Sequence, residues 1–196
     1  MNDEEFDHFV DILVTITEAN APNNLRDTFY SFFKLGHKCF VAKHSGEVVA
    51  YYWGFPDSYV VTYDNYQCKN IKLTVDDNGV FFGNGHIASN FRLKGVFPHL
   101  AKFCVDWYSP GTRFLTLTDY NNYQSLNSHI RIGYEAIFTL QCLSVGPLQF
   151  HMLKLKSGKR KYGFYCHFTL GQMPTFNIVI LEDLLLNSYP DAAANN

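Results

Sequence analysis

Between Val80 and Leu140 the chain reads as strand, basic glycine turn, helix, strand, Asn/Ser-rich helix and strand, and no other stretch limits the fold as tightly. Val80–Ser89 has strand character, interrupted by Gly83 and Gly85, which mark a bulge or a close backbone approach. Gly95–Tyr108 has helical spacing, with Pro98 tolerable in the first turn. Ser109-Pro110-Gly111 stops it. Arg113–Thr118 reads as a strand, Asn122–Ile132 as a helix, and Tyr134–Val145 as a long strand.

Around this stretch, residues 4–19 form an amphipathic helix pattern through Phe6, Phe9, Val10, Leu13 and Ile16. Residues 24–35 form a second through Leu25, Phe29, Phe32 and Phe33, stopped by Gly36. Cys39–Lys43 and Glu47–Phe55 are strands joined at Ser45-Gly46 in a hairpin. Tyr59–Tyr63 and Ile71–Val75 are candidate short strands around a polar loop. Gln149–Lys156 and Tyr162–Phe168 make a further hairpin through Ser157-Gly158. Residues 178–187 are apolar and compatible with strand or helix, and the tail after Pro190 is expected to fray. No repeat or linker divides the 196 residues. The expectation is one domain over 1–196, of α/β or α+β type: a mixed, mostly antiparallel central sheet flanked by helices.

Two elements carry chemistry. The first is Arg92-Leu93-Lys94-Gly95-Val96-Phe97, where a strand gives way to a helix. Free N–H groups and the dipole at a helix N-terminus bind anions, glycine lets backbone approach a pyrophosphate, and Arg92 and Lys94 add counter-charge. Alone, such a turn is as readily an ordinary solvated connection. The second is Asn122-x-x-Ser125-x-x-x-His129-x-x-x-Gly133-Tyr134, whose first three named residues share one helix face.

Together these elements resemble the GNAT superfamily of acyl-CoA-dependent N-acyltransferases. In that family R/Q-x-x-G-x-G/A follows the fourth strand, and N-x-x-A/S-x-x-x-Y-x-x-x-G-F forms a later helix. The chain matches with Arg92-x-x-Gly95-x-Phe97 and the Asn122–Tyr134 pattern, in the family's order and separation. The hairpin at 39–55 fits the family's second and third strands. Three features depart from the pattern. Phe97 stands where a small residue is usual, although Gly95-Val96-Phe97-Pro98 resembles a G-I/V-Y-P subgroup. His129 stands where many relatives have Tyr. No clear first strand precedes the helix at 4–19.

The resemblance implies direct attack of a primary amine on an acyl-CoA thioester, with acetyl-CoA or another acyl-CoA as co-substrate and no metal. It places the CoA pyrophosphate on Arg92, Leu93, Lys94, Gly95, Val96 and Phe97. The pantetheine arm would pair with the strand edge at Ile87, Ala88 and Ser89, with Asn122 and Ser125 along it. His129 is the candidate general acid, since its ordinary pKa makes both charge forms accessible; a packing histidine is the alternative. No acid lies between Val80 and Phe91, so the base candidates are His86 and Asp119, the latter also suited to capping a turn.

The expected acceptor is a small-molecule or peptide amine. Transfer of a longer chain, from CoA or an acyl carrier protein, is a second reading motivated by the 17% aromatic content. A third is a CoA-binding module without turnover, motivated by Phe97 and the missing carboxylate on the fourth strand. A homodimer is allowed for.

Composition argues against other classes. A net charge of −2 gives nucleic acid little to bind. No apolar run reaches the roughly 18 residues of a membrane span. The acidic start, Met1-Asn2-Asp3-Glu4-Glu5, is unlike a secretory signal. Cys39, Cys68, Cys104, Cys142 and Cys166 are odd in number, widely spaced and without CxxC, as reduced cytosolic thiols are. No G-x-S-x-G elbow or Walker A loop occurs. Charge is uneven: residues 1–27 carry seven acids against Arg26, and Lys154, Lys156, Lys159, Arg160 and Lys161 cluster. That cluster reads as a solvated hairpin tip or as a contact for a phosphate-bearing ligand.

Overall fold

The computed structural model describes residues 3–17, 22–56, 58–62, 69–75, 77–119, 121–145, 148–156, 160–166 and 175–176. They group into two compact units, Met1–Pro56 with Asn78–Ile132, and Asp57–Asp77 with Gly133–Asn196.

The first unit opens on two helices, α1 (Asp3–Thr17) and α2 (Pro22–Lys34). No strand comes before α1 among the described residues. Gly36, at φ 77°, ends α2 with His37 N–H donating to the Phe32 carbonyl and Gly36 N–H to that of Phe33. This is the paired-bond cap that a left-handed glycine makes available. Strands β1 (Lys38–His44) and β2 (Glu47–Phe55) come next. Ser45 and Gly46 both have positive φ, at 50° and 87°. His44 pairs with Glu47 across them, so the two-residue turn matches the twist of its strands.

β2 sits inside a four-stranded sheet of order β1-β2-β5-β6, where β5 is Gly79–Ile87 and β6 is Arg113–Thr116. β1, β2 and β5 are antiparallel; β5 and β6 are parallel. Val48 to Phe55 are all buried, which explains why this strand is a continuous apolar run without alternation. Its odd residues meet α1 and α2: Tyr51 lies 5.4 Å from Phe29, Trp53 lies 5.1 Å from Phe32, and Phe55 lies 4.9 Å from Phe32. Its even residues Ala50 and Tyr52 face α3 (Val96–Trp107) in a cluster with Phe40, Val80, Phe82, Leu100 and Cys104. Burying each such large side chain contributes about 1.5–3 kcal/mol. The helix α4 (Tyr123–Arg131) completes the unit.

The second unit contains β3 (Ser58–Thr62) antiparallel to β4 (Lys69–Thr74), with β10 (Thr175–Phe176) parallel to β4. It also contains the antiparallel series β7 (Phe138–Val145), β8 (Leu148–Leu155) and β9 (Arg160–Cys166). The long strand expected from Tyr134 begins only at Phe138. Gly133, at φ 100°, turns the chain out of α4, and residues 134–137 are the connection. There Lys156 N–H donates to the Ile137 carbonyl and Lys156 pairs with Glu135. Lys154 stands opposite Arg160 in the ladder, so part of the basic cluster does lie at a hairpin end; Lys159 and the Ser157-Gly158 turn lie outside the described residues, as do 178–187 and the tail after Pro190. Of the thiols, Cys104 is buried and Cys39 half-buried, and neither is in a disulfide. Burial pushes the Cys104 thiol up to about 12, which leaves it unreactive.

Candidate active site

The parallel pairing of β5 with β6 is short. It runs from Gly79 opposite Arg113 to Phe82 opposite Thr116. β5 continues to Ile87, and among the described residues nothing in the ladder pairs with Gly83–Ile87 on the β6 side. β6 ends where β5 carries on, so among the described residues the two strands part beyond Phe82 and Thr116, and this slot between them has β5 along one wall.

A bulge shapes that wall. Tyr51 pairs with His86 and Trp53 with Gly83, so Tyr52 alone opposes Asn84 and Gly85. Asn84 takes φ 49°, as Asn does with little penalty. Gly85 is required by close approach: a Cβ there would lie 2.5 Å from Cδ2 of Tyr52. The bulge and Gly85 together make room for the Tyr52 ring beneath the strand.

Beyond Ile87 the chain makes a single turn, Ser89–Phe91, and enters α3 through Arg92–Gly95. Leu93 and Gly95 both have positive φ, 61° and 77°. For leucine this conformation costs about 1–3 kcal/mol, and its side chain stands 95% exposed. Gly95 is the N-cap of α3 and no side chain caps that end. The first intrahelical bond is His99 N–H to the Gly95 carbonyl. The amides of Val96 and Phe97 precede it, and an α-helix offers its first-turn N–H groups no internal partner. Pro98, falling among those positions, costs nothing because it has no N–H to satisfy. The Arg92 guanidinium donates through Nε to the Ile87 carbonyl at 3.1 Å, tying the loop to the end of β5. Lys94 Nζ lies 5.4 Å from the Phe91 ring centroid.

α4 begins at Asn122, whose side-chain carbonyl accepts the Ser125 N–H at 3.1 Å. This N-cap fixes the helix that presents His129. Among the described residues His129 is the one buried polar side chain of the core, 7% exposed. Its Nδ1 lies 2.8 Å from the Ser125 carbonyl and 3.4 Å from Ser125 Oγ. A carbonyl only accepts, so Nδ1 carries the proton and Nε2 the lone pair. Nε2 lies 3.1 Å from Tyr52 Oη, which in turn lies 3.2 Å from Thr116 Oγ1. Burial lowers the His129 pKa, against a smaller upward effect of the Ser125 carbonyl. The ring is therefore neutral near pH 7 and accepts the Tyr52 O–H. Phe97 closes this group, its ring 4.7 Å from His129 and 5.7 Å from Tyr52.

The two base candidates lie in different settings. His86 is half-buried on the other face of β5, its ring 6.2 Å from that of Tyr51 and nearly parallel to it. Tyr51 Oη is within 2.8 Å of Thr17 Oγ1 on α1. Asp119 accepts the Asn121 N–H at 2.8 Å through its side chain and the Asn122 N–H at 2.9 Å through its carbonyl, so it shapes the entry to α4. No cluster of potential metal ligands occurs among the described residues.

The first unit thus holds every sequence-derived candidate: Ile87–Ser89 and Arg92–Phe97 in one continuous run, Asn122, Ser125 and His129 on α4, and His86 and Asp119 beside them. Two residues escaped sequence reasoning. Tyr52 lies in an apolar run where aromatics read as core, and Thr116 is one β-branched residue in a short strand. Only the glycine at 85 hinted that something large passes close to β5.

Comparison with solved structures finds similar chains, one of them at the level of a shared fold. An aminoglycoside N-acetyltransferase, AAC(6')-Iy, in complex with CoA superposes with a TM-score of 0.50 at 13% identity, over 74% of this chain and 91% of its own. The aminoglycoside 6'-N-acetyltransferase AAC(6')-IG of Acinetobacter haemolyticus gives 0.49 at 11% identity, over 74% and 94%. The ribosomal-protein-alanine N-acetyltransferase of Brucella melitensis gives 0.46 at 15% identity, over 72% and 86%. No family model and no curated protein matches the sequence. The architecture expected from the two motifs, that of the GNAT N-acetyltransferases, is the architecture observed.

Proposed function

We propose that the chain is an acyl-CoA-dependent N-acyltransferase, a single functional domain over 1–196, acting in the cytosol. One observation carries the reading. The part of β5 beyond its pairing with β6 leads, through the single turn Ser89–Phe91, into the positive-φ loop and uncapped amides at the start of α3. An extended ligand carrying amides at one end and a pyrophosphate at the other suits such a run, because the edge offers strand-like pairing and the turn offers anion binding. Acyl-CoA has that order of groups, and the CoA complex of a protein of the same fold supports the choice.

In this reading Arg92–Phe97 hold the pyrophosphate, with Arg92 and Lys94 as counter-charges. Ile87–Ser89 and the face of α4 with Asn122 and Ser125 line the pantetheine. The amine arrives from the α1–α2 face, where His86 takes its proton. His86 is preferred over Asp119 because it projects from the strand that borders the slot, while Asp119 is engaged in its turn. The acid end lies on the opposite face, at His129 and the groups bonded to it.

Acetyl is the expected acyl group and a small-molecule or peptide amine the expected acceptor. A longer chain, from CoA or an acyl carrier protein, is distinguished by titrating acyl chain length. An inactive CoA-binding module would bind without turnover. A homodimer is read from sedimentation. No helix among the described residues is long and apolar enough to cross a membrane.

The first test is thermal. A ligand bound only by the folded state at a hundred times its Kd stabilises by about 2.7 kcal/mol, or about 5–10 °C for a chain of this size. Acetyl-CoA should produce such a rise. No rise with acetyl-CoA or any longer acyl-CoA overturns the proposal.

A further inference from the structure

The hydroxyl of Tyr52 links the end of β6 to α4, and nothing about an aromatic core explains its bonds. Its ring could pack equally well as Phe: it stacks 5.1 Å from Phe82 and fills the space left by Gly85. Yet its Oη is held from two sides, by Thr116 at 3.2 Å and His129 at 3.1 Å. Thr116 is the last residue of β6 paired with β5. The hydroxyl therefore stands where the two strands part, at the closed end of the slot.

We propose that Tyr52 is the proton donor to the sulfur of the leaving CoA, with His129 and Thr116 as its positioning residues; the assignment rests on the slot taking acyl-CoA. A thioester whose pantetheine enters between β5 and β6 ends at their point of separation, beside Oη. As the C–N bond forms and the C–S bond breaks, the electron pair left on sulfur takes the Oη proton. The tyrosinate oxygen keeps the Thr116 hydroxyl as donor and regains a proton from solvent, replacing the one the amine gave up. His129 does not supply the proton in this arrangement. Its Nδ1–H is bonded to the Ser125 carbonyl and its Nε2 offers a lone pair, so it aims the Tyr52 hydroxyl and accepts from it between turnovers.

The test needs no acceptor amine. Free CoA is titrated onto the protein by calorimetry, and the thiol of bound CoA is then titrated by the ultraviolet absorbance of its thiolate. A donor beside the sulfur stabilises the thiolate, so the bound thiol should titrate below that of free CoA. Tyr52→Phe should keep CoA affinity within about threefold and raise the bound-thiol pKa by about one to two units, the scale of one hydrogen bond to a charged group. Thr116→Val should raise it less. Replacement of Tyr52 by 3-fluorotyrosine, a stronger donor of nearly the same shape, should lower it, and keeps the test available if Tyr52→Phe folds poorly. Absence of CoA binding to the wild-type protein overturns the functional reading itself. CoA binding with a bound-thiol pKa that neither Tyr52→Phe nor fluorotyrosine moves leaves that reading intact and overturns the role of Tyr52.

Discussion

The ring of Phe97 meets the imidazole of His129 edge-on, with centroids 4.7 Å apart and planes at 62°. The two departures from the family's motifs are thus one contact. A large residue at the end of the glycine turn fills space beside a ring smaller than tyrosine. His129→Tyr alone should overpack this site and cost about 1–3 kcal/mol. In a Phe97→Ala background the same change should cost at least 0.5 kcal/mol less, about the lower bound of coupling between touching residues. Urea unfolding of the four proteins measures the cycle; additive effects would mean the two positions are independent.

Acidification should act through His129. Its folded pKa lies below the ordinary 6.5 because the ring is buried. The unfolded chain therefore binds more protons in the window between the two values, and stability falls as pH drops through about 6.5. The slope approaches about 1.4 kcal/mol per pH unit at its steepest. His129→Asn, compared with wild type by urea unfolding between about pH 8 and pH 5, should be less stable at the alkaline end and lose less on acidification. Parallel curves would show that this histidine is not buried in its neutral form.

Gly85→Ala should disturb Tyr52 before anything else. The new Cβ would sit 2.5 Å from Cδ2 of that ring and 3.3 Å from the Tyr51 carbonyl. Either the ring or the bulge must shift, at about 1–3 kcal/mol. Near-ultraviolet circular dichroism and the melting temperature report it. A variant as stable as wild type with an unchanged aromatic spectrum would refute the close approach.

Gly95→Glu should abolish CoA binding while leaving the protein folded. Space is available, the nearest atom to a Cβ being His99 Nδ1 at 3.8 Å, but φ is 77°. The conformational cost is about 1 kcal/mol, and the carboxylate would face the same amides as the pyrophosphate. Gly95→Ala separates the two effects, since it carries the conformational cost without the charge. Calorimetry should find CoA bound to Gly95→Ala and not to Gly95→Glu.

The sequence exposed whatever depends on local chemistry. The turn at Ser45-Gly46, the cap at Asn122, the stop at Gly36 and the break at Gly83–Gly85 each depend on one or two residues and the backbone they permit. α1, β2 and α3 were legible from periodicity or its absence. The start of β7 was not, because Tyr134 and Ile137 favour strands as Phe138–Val145 do, and the hydrogen bonds of the connection are what set the segment apart. The Tyr52–His129–Thr116 group was hidden for a different reason. Its members come from three elements far apart in the chain, and each has an ordinary reading as core or strand. His129 alone was visible, through a motif, and the motif gave it the part that its bonded neighbour is better placed to play.

The open edge of β5 has a further consequence, for what the protein must refuse. A strand with an open edge invites any other strand, including one from a second copy, and proteins suppress this by kinking or occupying such edges. Here the backbone turns out of extended geometry at Asn84, φ 49°, and Arg92 occupies the Ile87 carbonyl. A polypeptide laid along Gly83–Ile87 would lose register at the bulge within two residues. A thin chain with a few amides spaced along it need not keep register at all. The same kink that admits the one excludes the other, so protection against self-association and choice of ligand are a single property of this edge.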